Sequence, residues 1–172
     1  MKEMVRYGFT LAIICIVASA SLAVVNAVTK SKIIAQAQAE EDASLKEVCP
    51  FAAHFEAVRS GEDILYYKAH DKDGNLAGVA FKASGKGYSS IVETIVGMKT
   101  DGTIVAIKIL SQNETPGLGA KVVEPEFSGQ FADKKDLSGI QAITGATISS
   151  KAVIDSVKKK AEEIKELIKN VP

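Results

Sequence analysis

Thr144-Gly145-Ala146-Thr147-Ile148-Ser149-Ser150 joins a short apolar stretch to a terminal run of helical periodicity, and its reading governs the rest of the chain. Locally it is a helix start. Threonine and serine oxygens accept the amides that a first helical turn leaves unpaired, so a capped terminus is the simplest local reading. The same geometry suits a phosphate. A helix N-terminus presents free N–H groups and the positive end of a dipole, and Gly145 and Ala146 let the backbone come close. Thr144, Thr147, Ser149 and Ser150 add hydroxyls. A threonine Oγ here could carry a phosphoryl ester held by the same amides. Neither His54 nor His70 is near in sequence to act as a general base. Modification by a separate enzyme is therefore easier to sustain than self-catalysis.

Beyond the motif, Val153, Val157, Ala161, Ile164 and Ile168 recur at helical spacing, which predicts a helix over 148–170 with one buried stripe. Lysines and glutamates between them form its solvated face. Ahead of the motif, strand-like stretches cover 64–70, 76–83, 91–100 and 103–110. Asp73-Gly74-Asn75 joins the first pair. Asp101-Gly102 joins the second as a two-residue turn in which both positions need positive φ. Gly85-Lys86-Gly87-Tyr88-Ser89-Ser90 lies between the hairpins and reads as a bend, with Tyr88 packed in the core. Glu114-Thr115-Pro116-Gly117-Leu118-Gly119 follows, and Thr115-Pro116-Gly117 fits a type II turn. The fold class is α+β: one domain over 50–172, with an antiparallel sheet and packed helices.

Residues 8–28 carry no charged side chain, enough helix to cross a hydrocarbon core of roughly 30 Å. Residues 1–7 form a cytoplasmic leader containing Lys2 and Arg6. Residues 29–49, rich in Ala, Gln, Glu and Lys and free of Gly and Pro, continue as a helical stalk. The apolar run exceeds the roughly 7–15 residues of a cleaved signal core. Ile14 also stands where a lipoprotein signal would need a small residue before Cys15. The expectation is an uncleaved single-pass anchor in the lipid bilayer. Two basic residues flank each end of the span, so charge gives only a slight orientation bias. The short leader favours a main domain on the extracytoplasmic side of the cytoplasmic membrane.

Among the 172 residues, 21 Lys and Arg balance 21 Asp and Glu. That removes the basic excess a nucleic-acid binder uses to neutralise phosphates. Cys15 and Cys49 form neither a disulfide framework nor a metal or iron–sulfur spacing. His54 and His70 lack a ligand pattern and read as surface or packing residues. Redox chemistry in this chain needs a cofactor held some other way.

Thr144-Gly145-Ala146-Thr147 resembles the flavinylation motif of FMN-binding domains in bacterial membrane redox complexes. In that family a flavin transferase takes FMN from FAD and esterifies its phosphate to the last threonine, which here is Thr147. The apolar span, Gly85-Lys86-Gly87-Tyr88, Asp101-Gly102, the loop from Glu114 to Gly119 and the motif occur in the family's order. Together they are similar to the G-subunit family of Rnf-type ion-translocating electron transport complexes. The C subunit of sodium-pumping NADH:quinone reductase is a similar paralogue. The motif commonly begins with an aspartate three residues before its first hydroxyl residue, and Gln141 stands there.

The resemblance implies covalent FMN as a phosphodiester of Thr147, with Thr144, Gly145, Ala146, Ser149 and Ser150 around the phosphate. It puts Gly87, Tyr88, Ser89, Glu114, Thr115, Pro116, Gly117, Leu118 and Gly119 along the flavin, with Glu114 orienting its loop rather than catalysing. No catalytic residue and no metal are implied. The chain would be an electron-transfer subunit with no complete turnover alone. It would relay electrons in a complex that couples ferredoxin/NAD electron transfer to Na⁺ or H⁺ movement, partnered by the other subunits and by a flavin transferase during maturation. The rival readings are the C subunit of a sodium-pumping quinone reductase, a free-standing flavin domain feeding another reductase, and a structural membrane subunit without flavin.

Overall fold

A computed structural model describes residues 2–61 and 63–169. It begins with one α-helix, α1 (Lys2–Val48). Residues 8–28 lie within this helix, which is long and apolar enough to cross a membrane. The chain divides into two compact units, Met1–Glu41 and Asp42–Pro172. The second contains the last residues of α1, from Asp42 on, and the chain that follows.

Five antiparallel strands follow in simple up-and-down order: β1 (His54–Ser60), β2 (Asp63–His70), β3 (Leu76–Lys86), β4 (Ile91–Lys99) and β5 (Ile104–Ser111). The four strands expected from the sequence are β2 to β5. β1 was not anticipated. It is an edge strand with mostly exposed residues and lacks the apolar alternation that marks a half-buried strand. The two expected hairpins are one sheet, because Lys86 pairs with Ile91 and the β3–β4 ladder runs back from there to Gly78 and Lys99.

The Asp101-Gly102 turn differs from expectation. Gly102 has φ +86°, whereas Asp101 does not have positive φ. The Gly102 amide donates to the Lys99 carbonyl (2.9 Å) and the Lys99 amide to the Thr103 carbonyl (2.8 Å). This is a four-residue turn closed by a left-handed glycine, the three-residue hairpin loop, so only one residue needs positive φ. Asp101 instead caps the loop, its Oδ1 accepting the Thr103 amide. The β2–β3 turn repeats the backbone pattern over Asp71–Asn75, with Gly74 as the left-handed residue, but its capping carboxylate is that of the first residue, Asp71, which accepts the Asn75 amide.

One face of the sheet carries the main core. Val79, Phe81, Val92, Val96 and Met98 meet Val153, Val157, Ala161 and Ile164 of α3 (Thr147–Lys169), together with Val122, Phe127 and Phe131. The predicted stripe is thus the buried face of α3, with Ile168 partly buried at its end. Asn170, the expected last helical residue, lies outside the described residues, as does Met1 of the leader. Each fully buried Val, Ile, Phe or Met side chain of this core contributes roughly 1.5–3 kcal/mol. Phe127 and Phe131 come from three short turns not read from the sequence: 3-10 turns at Gly119–Val123 and Gly129–Phe131, and α2 (Pro125–Ser128) between them. Segments of three to five residues have no room for a helical period.

The opposite face receives the end of α1. Leu45, Val48 and Cys49 pack on Ala69, Ala80 and Ile95. Gly97 makes this possible: a Cβ there would collide with the Val48 carbonyl and come within 2.9 Å of the Cys49 sulfur. Burial pushes the Cys49 thiol up to about 12, against a smaller lowering by a hydrogen bond to the Met98 backbone. Both cysteines are free thiols.

Candidate functional site

Three segments meet where α3 begins. The first is the β3–β4 turn at Gly87–Ser90. The second is the loop after β5, in which Pro116 and Gly117 (φ +75°) form the expected turn, the Leu118 amide donating to the Thr115 carbonyl at 3.2 Å. The third is the motif itself. Gly145 takes φ +82° and the Ala146 amide donates back to the Ile143 carbonyl, which turns the chain sharply into α3. The Ser150 amide closes the first helical bond onto the Ala146 carbonyl. The preceding amides of Thr147, Ile148 and Ser149 thus belong to the unpaired group of a helix start and are available to an anion.

Glu114 ties the three segments together. It is 5% exposed, and its carboxylate accepts hydrogen bonds from five donors. Oε1 receives the amides of Ser89 (3.0 Å) and Ser90 (2.8 Å) and the Ser90 hydroxyl (3.1 Å). Oε2 receives the Tyr88 amide (3.1 Å) and the Ser149 hydroxyl (2.6 Å). Burial alone would raise its pKa. The Ser149 hydroxyl and the amides of Ser90, Ser89 and Tyr88 outweigh that and hold it at about 2. The Ser90 hydroxyl is itself oriented by the Asn113 amide, which donates to it at 2.8 Å.

Between the segments lies a cleft of about 440 Å³, lined by Tyr88, Glu114, Thr115, Leu118, Gly119, Gly145, Ala146, Thr147, Ile148 and Ser149. That is within the usual range for a small-molecule site. Glu114 and Ser149 are its buried polar residues, and Tyr88, Leu118 and Ile148 are its exposed apolar ones. Tyr88 is 72% exposed, so it is not a core residue as the sequence suggested; it stands at the rim with Leu118 and Ile148. A β-turn tip held by its own amides leaves the side chain free to point outward. Of the other residues singled out from the sequence, Gly87, Ser89, Pro116, Gly117, Thr144 and Ser150 lie off the cleft wall. Gly87 and Ser89 instead shape the turn that Glu114 holds. Ser90 belongs to the loop expected to contact the flavin but serves as a partner of Glu114, and Ile148 is a lining residue that the sequence reading does not include among the contacts. Ile148 is legible in retrospect, because it falls outside the Val153 stripe at the first turn of the helix.

The four motif hydroxyls divide cleanly. Ser149 is buried and donates to Glu114. Ser150 is buried, donates to the Ala146 carbonyl (2.8 Å) and accepts the Ile143 amide (3.1 Å). Thr144 and Thr147 are exposed, and of these two only Thr147 lines the cleft. Gln141 borders a separate cleft, where its backbone makes two hydrogen bonds with the Gln130 side chain. His70 sits against Glu56 (3.5 Å) and His54 pairs with it across β1 and β2, both away from this site.

An FMN-binding domain model matches residues 87–162, and a model described as the RnfG N-terminal region matches residues 1–48. The chain is 35% identical to the G subunit of the ion-translocating oxidoreductase complex of Methanosarcina acetivorans, over 91% of this chain and 92% of that one. It is 35% identical to the G subunit of the proton-translocating ferredoxin:NAD(+) oxidoreductase complex of Clostridium ljungdahlii, covering 90% and 88%. With the Na(+)-translocating counterpart of Acetobacterium woodii it shares 34% identity, covering 91% and 89%. Among solved structures, the C subunit of the Na(+)-translocating NADH-quinone reductase of Parabacteroides distasonis shares the fold. It has a TM-score of 0.50 at 24% identity, over 62% of this chain and 63% of that one.

Proposed function

The chain belongs to the G-subunit family of ion-translocating oxidoreductase complexes, and on that premise we infer that it is a membrane-anchored electron carrier whose FMN is joined through its phosphate to Thr147. The observation that carries this reading is the division of the motif hydroxyls. Ser149 and Ser150 are buried and engaged, and of the four motif hydroxyls Thr147 alone is both exposed and on the cleft. The surroundings fit the group. The first-turn amides of α3 suit a phosphodiester, and the apolar rim of Tyr88, Leu118 and Ile148 suits a flat aromatic ring.

Bound FMN would supply the electron-accepting group, taking two electrons and releasing them singly. The chain's own residues would fix and shield it. Thr147 tethers the phosphate, Gly145 and Ala146 let the backbone approach it, and Thr115 and Gly119 line the wall beside the ring. Attachment by a flavin transferase agrees with the open position of Thr147. Gln141, the departure from the family motif, borders a different cleft and takes no part in this wall.

In this reading α1 anchors residues 8–28 in the cytoplasmic membrane behind a leader of residues 1–7. Residues 29–49 form the stalk, and residues 50–172 lie on the extracytoplasmic side. The chain relays electrons within an assembly of several proteins that couples ferredoxin/NAD electron transfer to Na⁺ or H⁺ translocation. It has no complete turnover alone.

The test is the intact mass of the full chain expressed with a flavin transferase, beside Thr147→Ala. A mass increase of one FMN residue on the peptide containing Thr147, absent from the variant, supports the reading. An unmodified wild-type chain in the presence of an active transferase would rule it out.

A further inference from the structure

Glu114 does more in this structure than hold a loop. Three of its five partners are backbone amides, which can only donate. The Ser90 hydroxyl already accepts the Asn113 amide and so turns its proton toward Glu114. The Ser149 hydroxyl reaches it at 2.6 Å. Both carboxylate oxygens face donors, three of them amides, which is the surrounding that favours the ionised form. A full negative charge is therefore fixed in the wall of the cleft that Thr147 also lines, on a side chain 5% exposed.

The neighbouring side chains leave that charge without a cation. No Lys, Arg or His lines the cleft among the described residues. Hydrogen bonds stabilise the carboxylate but do not cancel its charge. A buried, uncancelled charge acts on its surroundings far more strongly than one in water.

We propose that Glu114 is a fixed negative charge that lowers the reduction potential of a flavin ring held in the cleft. This rests on the reading that Thr147 carries FMN. Each electron that reaches the ring without a proton adds one negative charge to the cleft. The carboxylate disfavours that charge and leaves the neutral oxidised ring alone. Its five donors have a second role: they keep Glu114 from taking up a proton and losing its influence. Ser149 is thus a positioning residue that acts through Glu114.

The test is a pair of substitutions with opposite expected signs, made in the full flavinylated chain in detergent and titrated with dithionite at pH 7. Glu114→Gln keeps the shape and removes the charge. It should raise the potential by at least a tenfold change in the two-electron equilibrium, about 30 mV. Ser149→Ala keeps the charge and removes its shortest hydrogen bond, so the potential should fall. A role confined to holding the loops would not produce opposite shifts. Unchanged potentials, or shifts of the same sign, overturn the proposal. If Glu114→Gln does not fold, Ser149→Ala decides alone: a lower potential supports the proposal, and an unchanged or higher one overturns it. Wild-type chain that takes up no flavin overturns the FMN reading and this one with it, whereas loaded chain with unshifted potentials overturns this one only.

Discussion

The Ser149 hydroxyl donates to Glu114 Oε2 at 2.6 Å, joining the first turn of α3 to the loop after β5. The bond spans 35 residues of sequence and lies out of water. Since the same carboxylate also gathers the amides of the β3–β4 turn, the wall of the cleft depends on one side chain for its shape.

That dependence has a pH signature. Glu114 titrates near 2 in the fold against an ordinary 4.5. A depressed value means the ionised group stabilises the fold at pH above about 4.5 and loses that contribution as pH falls from 4.5 toward 2. Glu114→Gln should be less stable than wild type at pH 7, by at least the roughly 1–3 kcal/mol of one unsatisfied buried donor. The gap should narrow at pH 3. Thermal melts of the full chain in detergent at both pH values check this; a gap that is constant with pH contradicts it.

Ser150 should matter to stability without touching the cleft. Its hydroxyl is the acceptor for the Ile143 amide and sits in the core. Ser150→Ala leaves that amide unpaired and should cost about 1–3 kcal/mol. Denaturant unfolding reads the loss. A stability equal to wild type would mean that water reaches the Ile143 amide in the variant.

Thr94 is the reverse case. Its side chain is wholly buried in the sheet and its Oγ1 has no hydrogen-bond partner among the described residues. Thr94→Val replaces the stranded hydroxyl with a methyl of similar size and keeps the β-branch. The variant should be more stable by about 1 kcal/mol. A lower denaturation midpoint would show that the hydroxyl has a role in the native sheet.

Gly97→Ala should release the end of α1 from the sheet, because the new methyl collides with the Val48 carbonyl. Overpacking of this kind costs about 1–3 kcal/mol. In a Cys15→Ser background, Cys49 should resist alkylation in the native chain, being buried with its pKa at about 12, and react readily in the variant. Equal protection in both would show that the helix end can shift without opening.

The sequence disclosed those parts whose physics is local and repetitive. The α3 stripe, four of the five strands and the Pro116-Gly117 turn each carry their own period or turn chemistry, and each lies where expected. β1 escaped because an exposed edge strand needs no alternation, and the turns around Phe127 escaped because they are too short for a period to repeat. At the site, the motif and the loop from Glu114 were visible as segments. Their meeting was not. Nothing in the local pattern around Glu114 announces that its carboxylate collects donors from Tyr88, Ser89, Ser90 and Ser149, because those bonds cross 24 to 35 residues. The core position expected of Tyr88 fails for the same reason: a tyrosine between turn residues looks like packing, but the turn is pinned from inside by Glu114 and leaves the ring exposed.

The seat that Gly97 provides for Val48 also sets an order of assembly. Leu45, Val48 and Cys49 leave the ribosome before any strand exists to receive them, and they stay uncovered until the chain has emerged as far as β4. A cut between residues 42 and 49 would therefore take away the cover of the sheet's second face and leave Ala69, Ala80 and Ile95 open to water.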